Sequence, residues 1–216
     1  MNPKIKICCI SSIEEAFTAI EFGASALGLV GKMPSGPGVI LDELIFKIAK
    51  SVPPPIATFL LTSETSAGDI IKHHILTQTN TIQIVDRISK DTYKELREKL
   101  PSIKLVKVVH VIDNKSVDEA IEVSELADAI LLDSGNPDLK VKELGGTGRI
   151  HNWKLSRKIK DNIDIPIFLA GGLNSENVKQ ALDEVNPFAL DVCSGVRTNG
   201  KLDRLKLEMF FKAVLD

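Results

Sequence analysis

Cysteine is scarce in this chain. Three in 216 residues, an odd number, exclude a framework of paired disulfides and fit a reducing, cytoplasmic setting. Charge of one sign is missing too: 27 Lys and Arg stand against 29 Asp and Glu, a net charge of −2. That balance leaves no electrostatic footprint for nucleic acid or an anionic membrane. No apolar run approaches the ~18–20 residues of a membrane span. The opening Met1-Asn-Pro-Lys-Ile-Lys-Ile-Cys-Cys-Ile10 is too short in apolar length for a secretory leader. His73, His74, His110 and His151 lack zinc-ligand spacing with cysteine, so surface or core roles are expected for them and no metal site is. Linkers and low-complexity tracts are absent, and Pro53-Pro-Pro55 is only a stiff turn. One domain over 1–216 is therefore expected.

What the chain does have is a strong rhythm. Hydrophobic content of 44% and charged content of 26% suit one substantial core. A short β-type run followed by an amphipathic helical stretch repeats eight times. The strand candidates are Lys4–Ile10, Ala24–Gly31, Ile56–Thr62, Thr81–Asp86, Lys104–Val111, Ala127–Ser134, Pro166–Gly172 and Phe188–Gly195. Helices are expected from near Ser12, Leu41, Ser66, Lys90, Ser116, Asn152, Ser175 and Asp203. Ser12-Ile-Glu-Glu15 and Ser116-Val-Asp-Glu119 have capping-box spacing. Asn174 is expected to cap the seventh helix, and Trp153 to pack at the start of the sixth. Runs such as Ile165-Pro-Ile-Phe-Leu-Ala170 have the composition of parallel strands covered on both faces. The fold class this implies is α/β, a single-domain (β/α)8 TIM barrel.

Glycine is concentrated at the ends of the last three strands. Gly145-Gly-Thr-Gly148 follows Leu131-Leu-Asp-Ser-Gly135, then come Ala170-Gly-Gly-Leu173 and Asp191-Val-Cys-Ser-Gly-Val196. A barrel holds phosphate after its last strands, often with a short extra helix, for which Val196–Lys201 is the place. An open doubly wound sheet would put its phosphate loop after the first strand. Glycine turns let backbone N–H groups approach an anion, and helix N-termini add partial positive charge. The expected phosphate contacts are Gly146, Thr147, Gly148, Gly171, Gly172, Ser194 and Gly195. A single Gly-Gly pair is more often a turn than a site. Three in order at strand ends are a stronger signal.

Cys8 lies near the C-terminal end of the first strand, sharing a face with Lys6, while Cys9 shares the other with Ile7 and is expected to pack outward against a helix. Position alone leaves Cys8 open between a small buried core residue and a reactive thiol. Asp133 ends the sixth strand after four apolar residues, at the rim where barrels do chemistry, and the alternatives are a catalytic carboxyl or a loop hydrogen-bond acceptor. Asp191 shares a face with Cys193 and is placed to pair with Lys6 where the barrel closes.

Together these motifs resemble the phosphoribosylanthranilate isomerase family along nearly the whole chain, most densely at strands 1, 6, 7 and 8. The family's Lys-Ile-Cys-Gly-Ile is matched by Lys6-Ile-Cys-Cys-Ile10, with Cys9 in the glycine position. Its Leu-Leu-Asp, Gly-Gly-Thr-Gly, Ala-Gly-Gly-Leu and Ser-Ser-Gly-Val motifs are matched at the positions above, the last as Cys193-Ser-Gly-Val196. Gln83 matches a glutamine on strand 4, where the following His-Gly is replaced by Val85-Asp86. The resemblance implies Cys8 as general base and Asp133 as general acid in the Amadori rearrangement of N-(5'-phosphoribosyl)anthranilate in tryptophan biosynthesis. It implies a small phosphorylated sugar as the binding partner, no metal or organic cofactor, and a monomer or homodimer. One feature departs: the family's Ser-Pro-Arg after strand 2, whose arginine holds the anthranilate carboxylate, is replaced by Lys32-Met-Pro-Ser-Gly-Pro-Gly-Val39. Arg197 or Lys32 is expected to supply that charge, against the plain alternative that both are solvated. The rival functions are a barrel acting on a different phosphorylated sugar and a non-catalytic sugar-phosphate-binding protein.

Overall fold

The computed structural model describes residues 3–146 and 148–215. Eight parallel strands close into a barrel in chain order: β1 (Lys4–Ile7), β2 (Ala26–Val30), β3 (Ala57–Thr62), β4 (Thr81–Ile84), β5 (Lys104–His110), β6 (Ala129–Asp133), β7 (Ile167–Leu169) and β8 (Ala189–Val192). Closure pairs Lys4 with Ala189 and Lys6 with Asp191. Each strand is followed by its helix: α1 (Ile13–Glu21), α2 (Asp42–Ser51), α3 (Ala67–Thr77), α4 (Lys90–Lys99), α5 (Lys115–Ser124), α6 (Trp153–Asn162), α7 (Val178–Val185) and α8 (Arg204–Leu215). The expected (β/α)8 barrel is the fold.

Alternation along the strands divides the core in two. Inward residues such as Val30, Phe59, Val106, Leu131 and Phe168 fill the barrel. Outward residues such as Ile7, Leu29, Leu60, Ile130 and Leu190 pack against the helices, where Ile45, Ile48, Trp153 and Phe210 meet them. Both strand faces are buried, which is why the strands read as near-continuous apolar runs. Ser12, Ser66, Ser89 and Asn152 each accept a backbone N–H in the first turn of α1, α3, α4 and α6. Such caps satisfy donors that a helix start leaves bare.

Local expectations fail at four places. Ser116 does not cap α5. The helix begins one residue earlier, and the Ser116 hydroxyl donates to the carbonyl of His110 while accepting from Ile112 N, so it stitches the helix to the end of β5. Asn174 accepts from the N–H groups of Glu176 and Asn177, capping a turn that precedes α7 rather than α7 itself. The extra helix is one 3₁₀ turn at Ser194–Val196, and the residues after it form a tight hairpin of Arg197–Thr198 with Lys201–Leu202. Strands 1, 7 and 8 also stop earlier than their apolar runs, because the chain turns at Cys9 (φ 61°), Gly171 (φ 83°) and the 3₁₀ turn. Those truncated ends lie at the cavity in the barrel mouth.

Candidate active site

Cys8 directly follows β1, with its N–H donated to Val192 O at 2.9 Å. It is buried and faces the cavity at the mouth of the barrel. Beneath it, Lys6 is fully buried and donates to Asp191 Oδ1 at 2.9 Å, with its ammonium 5.2 Å from the centre of the Phe59 ring. The expected Lys6–Asp191 pair is therefore present. Burial opposes the charge on Lys6, but Asp191 and the neighbouring thiols outweigh it and hold its pKa above the ordinary lysine value. Gly28 on β2 makes room for this group. A Cβ there would lie 2.8 Å from Cys8 Sγ and 3.0 Å from Lys6 Nζ. Sequence reading passes over Gly28, since a lone glycine in an apolar strand signals only a close approach, not what approaches.

Asp133 ends β6 and points into the same cavity, 8% exposed. Burial pushes its carboxyl up to about 6; the Ser134 N–H, donated at 2.7 Å, works against that and the Asp191 charge adds to it. A carboxylic acid that keeps its proton near pH 6 is suited to donate one. Gln83 on β4 also faces the cavity, and its Oε1 is buried with no partner among the described residues. Val85, two residues on, is buried inside the barrel. Asp86 pairs with Lys142 and receives the Arg87 N–H, so it anchors the long loop after β6.

Two expectations are overturned. Arg197 does not reach the cavity. Its guanidinium grips Glu15 with both terminal nitrogens, at 3.0 and 3.1 Å, and donates to the carbonyls of Cys8 (3.2 Å), Cys9 (2.6 Å) and Gly200 (3.0 Å). It is a clamp on the strand that carries Cys8, not a contact for a substrate carboxylate. Glu15 was legible only as a capping residue. Burial raises its pKa, but Arg197 and the N–H groups of Leu202 and Ser11 together outweigh it and leave it below the usual carboxylate range. Lys32 is exposed and also lies outside the cavity lining. Cys9 does not pack outward either. Its left-handed backbone breaks the alternation and turns the side chain toward the mouth, beside Cys193 and under Pro37.

The glycine turns converge on one side of the cavity. Gly146, Gly148, Gly171, Gly172 and Ser194 line it. Thr147 lies outside the described residues. Gly172 (φ 64°) is pressed against the loop after β6, so a Cβ there would come within 2.9 Å of the Gly148 and Arg149 backbone. Gly195 is set back from the lining and lets the chain pass Leu173, whose carbonyl a Cβ would strike at 2.0 Å. The N–H groups of Gly172 and Ser194 are not taken up by other backbone groups of the described chain. Met33, Ser35, Gly36 and Pro37 form another stretch of wall that meets the loop after β6, where a Cβ on Gly146 would come 2.4 Å from Pro37 and the Ser35 hydroxyl donates to Lys142 O. The cavity encloses roughly 660 Å³ with its open mouth included. Neither lysine nor arginine is among its described lining residues.

A closed (β/α)8 barrel with a carboxyl and a thiol facing one cavity, beside glycine turns on strands 6 to 8, defines a barrel enzyme of the phosphate-binding class. The chain belongs to the N-(5'-phosphoribosyl)anthranilate isomerase family, whose model matches residues 5–213. N-(5'-phosphoribosyl)anthranilate isomerase 2 of Methanosarcina mazei is 35% identical, over 96% of this chain and 92% of that protein. The Methanothrix thermoacetophila N-(5'-phosphoribosyl)anthranilate isomerase is 34% identical, over 98% and 97%. Among solved structures, phosphoribosyl anthranilate isomerase from Thermotoga maritima superposes with a TM-score of 0.84 at 30% identity, covering 99% of this chain and 98% of that one.

Proposed function

We propose that this protein isomerises N-(5'-phosphoribosyl)anthranilate to the corresponding 1-amino-1-deoxyribulose phosphate, an Amadori rearrangement. The observation that carries the reading is the pair of proton-transfer groups, Cys8 and Asp133, facing one cavity with the glycine cradle at its side. Asp133 donates its proton to the ring oxygen as the furanose opens to an iminium. The Cys8 thiolate then removes the proton from C2, giving an enolamine that tautomerises to the ketone. The phosphate is held by the backbone N–H groups of Gly172 and Ser194, which orients C2 toward Cys8. A solved structure 28% identical to this chain is a phosphoribosyl anthranilate isomerase in complex with reduced 1-(o-carboxyphenylamino)-1-deoxyribulose 5-phosphate, which supports the substrate class.

With Arg197 committed to Glu15, the aglycone carboxylate needs another cation. Arg149 is the candidate: it follows Gly148, pairs with Glu143 on the exposed rim, and lies within the field of Asp133. The lack of lysine and arginine among the described lining residues favours a second reading, a phosphorylated aminoaldose whose aglycone has no carboxylate. Freshly prepared phosphoribosylanthranilate separates the two. Loss of anthranilate fluorescence on adding the purified protein is expected, and a protein that leaves this substrate untouched while isomerising an uncharged N-aryl analogue supports the second reading.

A further inference from the structure

The cavity mouth holds a feature the isomerase reaction does not use. Cys9 and Cys193, which follow the neighbouring strands β1 and β8, place their sulfurs 2.9 Å apart, and both line the cavity. All three cysteines of the described chain are free thiols. The register that pairs Ile7 of β1 with Val192 of β8 brings the two chain segments that carry these thiols side by side. The backbone around Cys9 is held hard. Its carbonyl and that of Cys8 are both gripped by Arg197, and its own φ is 61°. Its thiol also reaches Pro37 O at 3.6 Å, and a Cβ on Gly38 would come 2.5 Å from Cys9 Cβ, so the loop after β2 lies directly on this side chain.

We propose that Cys9 and Cys193 form an oxidisable dithiol, a modification site at the cavity mouth that takes small-molecule disulfides and closes to an intramolecular disulfide that shuts the site. Cys193 is the attacking sulfur, because it is the more exposed of the two and its hydrogen bond with Cys9, against the opposing effect of burial, holds its thiol below the usual range. Its thiolate displaces one thiolate from the small disulfide RSSR, forming a mixed disulfide. Cys9, giving up its proton, then attacks the Cys193 sulfur and releases the second thiolate. The sum is RSSR plus two protein thiols giving one protein disulfide plus two RSH. Closing the bond withdraws the Cys9 S–H from Pro37 and pulls on the residue next to Cys8. Both the loop wall and the base shift, and a displacement of about 1 Å at a proton-transfer site is enough to cost on the order of a hundredfold in rate.

The test uses the full chain, reduced with dithiothreitol and then treated with oxidised glutathione. Cross-linking and turnover are read separately, because only the second rests on the proposed isomerase activity. Tryptic digestion without reduction is expected to give one species joining peptide Ile7–Lys32 to peptide Gln180–Arg197, with the loss of two hydrogen atoms. Cys8→Ser should keep that species, while Cys9→Gly and Cys193→Ser should each abolish it. Phosphoribosylanthranilate turnover should fall by about tenfold or more on oxidation and return with dithiothreitol. In Cys9→Gly and Cys193→Ser, each compared with its own reduced form, oxidation should change turnover little. No joined peptide, a link that survives Cys9→Gly, or a stable glutathione adduct on Cys193 in its place would overturn the proposal. So would a joined protein that turns over as fast as the reduced one. Reduced protein without turnover sinks the isomerase reading and leaves the cross-link result standing.

Discussion

The two sides of the cavity mouth are built differently. At the seam of β8 and β1 each charge has a partner: Lys6 with Asp191, Arg197 with Glu15, and the Cys8 carbonyl with Arg197. Across the mouth, at β4 and β6, polar groups are left short. Among the described residues Gln83 Oε1 is buried without a partner, and the hydrogen bonds to Asp133 come from Ser134. The first side is largely paired within the protein, and it fixes the strand end that carries Cys8. The second is finished by whatever enters, and there the unpaid desolvation of Asp133 keeps its proton available. Fixed pairing gives position and withheld pairing gives a perturbed pKa.

Removing the reacting groups themselves should have the largest effect. Cys8→Ser and Asp133→Asn should each lower kcat by roughly 10²–10⁴-fold while leaving inorganic phosphate affinity unchanged, as steady-state kinetics and calorimetric titration would read. Activity within a few-fold of wild type in either variant rules out the assigned roles. Breaking the paired seam comes next. Arg197→Ala strands a largely buried Glu15 and frees the Cys8 carbonyl, so chemical denaturation should show a loss of roughly 3–5 kcal/mol. If Arg197→Ala instead raises KM with stability intact, the clamp assignment is wrong and the residue reads substrate after all.

Asp133 gives the sharpest contrast, because its effect on stability is opposite in sign. Its folded value of about 6 lies above the ordinary 3.8, so the folded state holds the proton more tightly than the unfolded chain. Its contribution favours folding below about pH 4 and is lost as pH rises through 6. Asp133→Asn should therefore be more stable than wild type at pH 8, by up to about 3 kcal/mol, with the gain vanishing near pH 4. The same ionisation should appear as a fall in wild-type kcat/KM above about pH 6. A stability difference that does not change with pH would show that Asp133 is not held protonated. The smallest effect expected is at the rim, where Arg149→Ala should raise KM for the carboxylated substrate by about tenfold and leave an uncharged analogue unaffected.

Much of this molecule was legible from the chain. Eight alternations of apolar run and amphipathic stretch gave the barrel, and strand periodicity put Lys6 and Cys8 on its inner face and Asp191 beside them. Periodicity stops being informative where the strand stops. Cys9 was assigned outward because alternation was carried two residues past Ile7, and a left-handed turn reversed it. Gly172 read as a ligand contact, and it does line the cavity. The space beyond its missing Cβ, however, is filled by the backbone of Gly148 and Arg149, so Gly172→Val would first break the packing of two loops.

Local pattern by itself determined the fold and the helix starts at Ser12 and Ser66, because hydrophobic periodicity and capping are short-range and repeat within each unit, whereas the roles expected of Cys8 and Asp133 rest on the family resemblance. Only the tertiary structure decided what Arg197 and Glu15 are for. In the sequence they are a surface cation after a glycine turn and an ordinary capping glutamate, 182 residues apart. Barrel closure brings α1 against the hairpin after β8. Once both side chains are buried there, neither charge is tolerable without the other. No property of either residue alone carries that information, since it arises from the water the fold removes between them.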